Sequence, residues 1–275
     1  MDQTRRLVLF LVISAMVLFA WNLAFPPQQP AIRPAGADSA RAATATAAAT
    51  TPPAPAPRVA PVASTGTAPE RMVTVRSPLY EYRFSTRGAA LNAATLLRFE
   101  SYVQKDASVQ LVPRSARDVL AHRVVVGRDT LDFRNVTFVP SADRLDLREG
   151  DQPKQLRFVS TNPGPVRQEV TYTFRPDGYL VDVQGRFIGV PRGAQLVTEL
   201  GTGLAPHDAP EHNTARELTF VGWDRQKIRR TPVRRIQAPD TIAGPLVWGG
   251  IKDRYFLVAL INPGSARFTR LVIEP

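Results

Sequence analysis

No cysteine occurs among the 275 residues, which excludes disulfide frameworks, cysteine-based zinc sites and a cysteine nucleophile. A chain without such staples must hold itself by its core, and 44% hydrophobic residues supply enough for a substantial one. Histidine is scarce as well, with only His122, His207 and His212. The phosphate-cradling GxxxxGK loop, the dinucleotide GxGxxG turn, the GxSxG elbow and HExxH are all missing. On these grounds no catalytic, cofactor-binding or metal-binding residue is assigned, and an enzyme is not expected.

Long apolar runs are equally rare, with one exception at the start. Leu7 to Phe25 carries no charge, and Ser14 and Asn22 are its notably polar residues. As a helix it spans about 28 Å, close to the hydrocarbon thickness of a bilayer. Leu7, Phe10, Leu11, Ile13, Val17 and Leu18 give it a lipid-compatible surface, and Trp21 and Phe25 stand at the far end, where aromatic rings rest among headgroups. Arg5 and Arg6 precede the run, so the positive-inside rule puts the amino terminus in the cytoplasm and everything after Phe25 outside. A cleaved signal peptide is the rival. Its core is shorter and closes on small residues, whereas this run closes on bulky residues and Pro26-Pro27. The segment is therefore read as a transmembrane anchor, residues 1–25.

Residues 26–70 contain ten Pro and 15 Ala. Blocks such as Thr51-Pro52-Pro53-Ala54-Pro55-Ala56-Pro57 hold neither helix nor central strand, so this stretch reads as a disordered, partly extended tether. From Met72 the texture changes to short strands between turns. In Leu79–Ser85 the residues Tyr80, Tyr82 and Phe84 share one face. Val170, Tyr172 and Phe174 repeat the alternation, Pro176-Asp177-Gly178 turns the chain, and Tyr179, Val181 and Val183 are expected on the return strand. Further strands are expected at 119–126, 136–139, 156–160, 196–200, 218–221, 255–262 and 268–273. The fold class is all-β, a sandwich or barrel over residues 71–275.

Two clusters invite a chemical reading. His207-Asp208-Ala209-Pro210-Glu211-His212 puts two imidazoles and two carboxylates within six residues, yet Pro206 and Pro210 mark a loop and the spacing matches no strong zinc signature. An exposed polar loop is expected there. Lys227, Arg229, Arg230, Arg234 and Arg235 form a cationic stretch, read as an interaction loop. The net charge of +11 favours phosphates, but outside the cytoplasm anionic headgroups or an acidic protein are the natural partners and nucleic acid is not.

The order of these parts resembles the bacterial YidC/Oxa1/Alb3 family of inner-membrane insertases. Met1–Arg6 followed at once by the apolar run is similar to the family's start. Tyr82–Leu91, Asp177–Val183 and Trp248–Ile261 resemble successive segments of its periplasmic domain. The resemblance implies a large β-super-sandwich, mutarotase-like in shape, in the periplasm behind one transmembrane helix. It also implies work without a cofactor on nascent membrane proteins, among inner-membrane lipids, beside the Sec translocon and its SecDF subunits. The family's five-helix insertase core has no counterpart before Pro275, so a fragment truncated at its carboxy terminus is expected. Because the implied fold is shared with sugar enzymes, a tethered carbohydrate-binding or carbohydrate-active domain is the alternative; it needs converging polar groups and exposed aromatics near His207.

Overall fold

The computed structural model describes residues 69–162, 164–209 and 216–274. The residues expected to form the anchor, Leu7, Phe10, Leu11, Ile13, Val17, Leu18, Trp21 and Phe25, the pair Arg5 and Arg6, and the expected tether up to residue 68 lie outside the described residues. Among the described residues no helix is long and apolar enough to cross a membrane. What they form is all-β: eighteen strands in five sheets, with a single 3-10 turn as a named helical element.

The first sheet runs in the order β4-β3-β2-β1-β8, from β1 (Met72–Arg76), β2 (Tyr80–Ser85), β3 (Leu91–Glu100), β4 (Ser108–Gln110) and β8 (Arg144–Asp146). The second runs β11-β10-β9-β7, from β7 (Phe138–Pro140), β9 (Lys154–Ser160), β10 (Arg167–Phe174) and β11 (Asp182–Ile188). Strict alternation on β2 and β10 aims aromatic side chains of the two sheets at each other. Phe84 lies 4.9 Å from Tyr172 and 5.9 Å from Phe158 between ring centroids, and Tyr80 stacks on Tyr82 at 4.2 Å. These rings are buried, each contributing about 1.5–3 kcal/mol of hydrophobic stabilisation. A three-stranded sheet, β12-β5-β6, closes the same core with β5 (His122–Val126), β6 (Asp129–Asp132) and β12 (Gln195–Thr198).

The chain then builds a second region. β13 (Thr219–Trp223), β14 (Ile228–Pro232), β16 (Trp248–Lys252) and β17 (Leu257–Ile261) form a sheet in the order β14-β13-β16-β17. β15 (Asp240–Leu246) pairs with β18 (Phe268–Ile273). Their cores are small, Leu204, Leu218 and Ile251 in one and Ile242, Leu246 and Ile273 in the other. Phe256 and Val258 pack against both the main core and the first of these, and so tie the two regions together.

Several expectations hold and others shift. The face shared by Tyr80, Tyr82 and Phe84 is the buried one. After β2 the chain turns at Gly88, whose φ of +69° suits glycine, and the amide of Gly88 donates to the Val136 carbonyl at 2.8 Å. The β10–β11 hairpin forms, but its return strand starts at Asp182 rather than Tyr179. The Tyr179 ring instead lies by Tyr80 and Phe99, at 6.4 and 6.2 Å between ring centroids. Val119 and Leu120 also fall outside the expected strand: Leu120 has φ +66°, so β5 begins only at His122. Tyr255 and Phe256 sit in a turn ahead of β17 rather than within it.

Candidate functional site

The segment before His207 crosses to the turn between β16 and β17. There the Asp253 side chain accepts from the amides of Tyr255 and Phe256, both at 2.8 Å, which fixes that turn. Its other oxygen lies 3.0 Å from Nε2 of His207. The His207 Nδ1 sits 2.9 Å from the Ala205 carbonyl and donates to it, while the His207 carbonyl accepts from the Tyr102 amide at 2.9 Å. His207 therefore joins three loops: one after β3, one ahead of β13 and the β16–β17 turn.

Both members of the pair are buried, with side chains 3% and 1% exposed. Nε2 does not point squarely at the carboxylate, so the contact is an ion pair rather than an aligned hydrogen bond. Burial alone would lower the His207 pKa; the Asp253 carboxylate and the Ala205 carbonyl outweigh it and leave the imidazole above its ordinary value. Burial alone would likewise raise Asp253, but His207 and the two turn amides bring it below the usual carboxylate range.

This corrects the expectation of an exposed polar loop for His207 and Asp208. His207 and Asp208 are buried, and the ring nitrogens of His207 face the Ala205 carbonyl and the Asp253 carboxylate. Glu211 and His212 lie outside the described residues. His207 touches aromatic rings, with Phe256 at 4.8 Å and Tyr255 at 6.3 Å, but both its nitrogens are engaged inside the protein. Its contacts hold three loops together. Among the described residues no three His, Asp or Glu side chains gather closely enough to hold a metal ion. His122 is buried at the start of β5, with Nδ1 2.7 Å from the Gln168 amide nitrogen.

The cationic stretch is loop only at Lys227, in the turn between β13 and β14. Ile228–Pro232 is an edge strand paired to β13, and Val233–Arg235 is the 3-10 turn after it. Asp224 makes the hairpin, accepting from the amides of Gln226 and Lys227 at 3.0 and 2.9 Å, and it pairs with Arg229 at 3.2 Å. Lys227, Arg230, Arg234 and Arg235 remain exposed. Sequence reading found these cations but missed Asp253 and the pair Trp223 and Trp248. The alternation of β13 and β16 was the signal that places both tryptophans on one side of the sheet.

The described residues define an all-β, sheet-rich class of domain, with a buried His207–Asp253 pair and a cationic sheet edge. The comparisons with known proteins make this specific. The family described as YidC periplasmic domain matches residues 72–272, and the chain belongs to that family. Over 255 residues it is 24% identical to the membrane protein insertase YidC of Syntrophus aciditrophicus, covering 90% of this chain and 43% of that protein. The Geobacter metallireducens protein of the same name is 26% identical, covering 98% of this chain and 50% of its own. For the Nitratidesulfovibrio vulgaris one the identity is 28%, covering 99% and 50%. The chain thus spans about half the length of the curated relatives it matches.

Proposed function

We propose that this chain serves a membrane protein insertase of the bacterial inner membrane as its anchor and periplasmic interaction domain. The observation that carries the reading is the family match across 72–272, joined to relatives that carry the insertase name. In this reading Leu7–Phe25 spans the bilayer with Arg5 and Arg6 inside, residues 26–70 form the tether, and residues 71–275 fold as a mutarotase-like β-super-sandwich in the periplasm. Its clients are nascent membrane proteins, its surroundings are inner-membrane lipids, and it works beside the Sec translocon and SecDF. No cofactor and no catalytic step are required, because insertion exchanges environments rather than covalent bonds.

Two experiments test it. The natural absence of cysteine makes single-cysteine mapping clean. Asp177→Cys should react with an impermeant maleimide in intact spheroplasts, and Asp2→Cys only after lysis; a free protein starting near Asp38 overturns the anchor. A photo-crosslinker at the exposed Tyr102 should capture ribosome-bound nascent membrane proteins. Capture of secreted chains alone overturns the client reading. The carbohydrate alternative finds no support at His207, whose nitrogens both face protein groups.

A further inference from the structure

The register of the β14-β13-β16-β17 sheet sorts its side chains onto two faces. One face is the inner one: Phe220 and Ile251 pack in the small core, and Gly222 and Gly249 bring the backbone up to Leu246. The other carries the positions that alternate with these. Across it runs one row of paired residues, Ile228–Trp223–Trp248–Ile261, reaching from edge to edge. Ile228 is 44% exposed, Ile261 54%, and Leu257 on the same face 52%, while both tryptophans are half-buried. The two following rows put Arg230 and Lys252 on this face, with Val221 buried between its neighbours in the ladder and the Lys252 ammonium, half-buried, donating also to the Asp253 carbonyl; none of the twelve paired positions is a carboxylate. Lys227 stands at one rim and Arg254 at the other, its guanidinium 5.4 Å from the centre of the Tyr255 ring. The one carboxylate in the β13–β14 hairpin, Asp224, is already neutralised by Arg229.

We propose that this outer face lies against an anionic lipid surface. A sheet face with tryptophan and isoleucine in one row, cations beside it and no acid among its paired positions suits the bilayer interface. Indole rings settle at headgroup depth, aliphatic tips enter the acyl boundary, and Lys and Arg meet lipid phosphates. An acidic protein partner would explain the cations but not the apolar row from edge to edge. The proposal extends the reading of an envelope domain by giving it a membrane-facing side. It borrows from that reading only the nearness of a bilayer.

The test uses the full chain in lipid nanodiscs, with a nitroxide on Ile228→Cys or Ile261→Cys, and on Val139→Cys of β7 as an exposed control on another sheet. In discs containing phosphatidylglycerol the labels at 228 and 261 should gain oxygen accessibility over a water-soluble nickel chelate, and the label at 139 should not. R230Q and K252Q should each lower the ratio of docked to undocked chain about five-fold. High salt should release the face, because the screening length shrinks to about 3 Å at 1 M. If 228 and 261 stay as aqueous as 139, or dock equally in discs of phosphatidylcholine alone, the proposal falls. Cysteine mapping of the anchor reads independently of this result, so the two failures are distinguishable.

Discussion

His207 and Asp253 meet 3.0 Å apart inside the protein, the one from an irregular segment and the other from a tight turn. Asp253 serves two ends at once: one oxygen holds two turn amides, the other faces the imidazole. Asp253→Ala removes both and leaves a buried imidazole without its counter-charge, at a cost of about 3–5 kcal/mol. Asp253→Asn keeps an acceptor for the turn and should cost less, while His207 titrates at lower pH than in the wild type. Urea unfolding and an NMR titration of His207 measure the two effects. An unchanged His207 pKa in the Asn variant would show that the carboxylate does not hold the proton there.

The two buried histidines respond to pH with opposite sign. His207 titrates above its ordinary 6.5, so its contribution is fully present below 6.5 and fades as pH rises through the folded value. Asp253 sits below 3.8, so its contribution is present above 3.8 and is lost as pH falls through its folded value. His122 is pushed down to about 4 by burial, and Gln168 donating to Nδ1 fits the neutral ring. Its contribution is full above 6.5 and is lost as pH falls towards about 4, to a limit of about 3 kcal/mol. Acid destabilisation in that window is therefore expected to come from His122. His122→Gln should flatten the stability profile between about pH 6.5 and 4, measured by thermal unfolding. A profile as steep as the wild type's would place the titrating group elsewhere.

Two buried tyrosines invite opposite outcomes from the same substitution. The Tyr80 hydroxyl donates to the Arg175 carbonyl at 2.8 Å, so Tyr80→Phe should cost about 1 kcal/mol. The Tyr172 hydroxyl is buried with no partner, and burial raises its pKa. Tyr172→Phe removes an unsatisfied group and should be neutral or stabilising, with a melting midpoint at or above the wild type's. A loss as large as that of Tyr80→Phe would mean that the Tyr172 hydroxyl is satisfied after all.

Legibility in the sequence followed the strength of alternation. Tyr80, Tyr82 and Phe84 announced β2, and Val170, Tyr172 and Phe174 announced β10, because large apolar side chains at period two have one economical arrangement. The ten-residue β3 escaped, since Ala93, Ala94, Leu96 and Leu97 favour helix locally. Pairing with β2 and β4 overrides that preference. β15 was hidden for a different reason, because Gly244 and Pro245 break its pattern at an irregular register. The cations of β14 were plain in the sequence, but their place on a strand was not; that depends on Trp223 and Trp248 lying beside them across the ladder. Burial of His207 was invisible because its partner, Asp253, lies 46 positions further along the chain.

Gly88 and Gly127 separate backbone conformation from crowding. Both have positive φ, +69° and +62°, where a side chain costs about 1 kcal/mol. At Gly127 an added methyl meets nothing within 4 Å, so Gly127→Ala should lose little more than that. At Gly88 the methyl would come within 2.7 Å of the Arg134 carbonyl oxygen, a backbone atom that cannot swing away. That backbone segment also carries Val136, whose carbonyl receives the Gly88 amide, so relief of the clash breaks the hydrogen bond. Gly88→Ala should therefore cost at least about 2 kcal/mol, clearly more than Gly127→Ala, and should lower the midpoint by several degrees in a domain of this size. Equal losses in the two variants would mean that the turn after β2 moves freely away from the 134–136 segment, and that the junction between β2 and the second sheet is looser than the close approach at Gly88 implies.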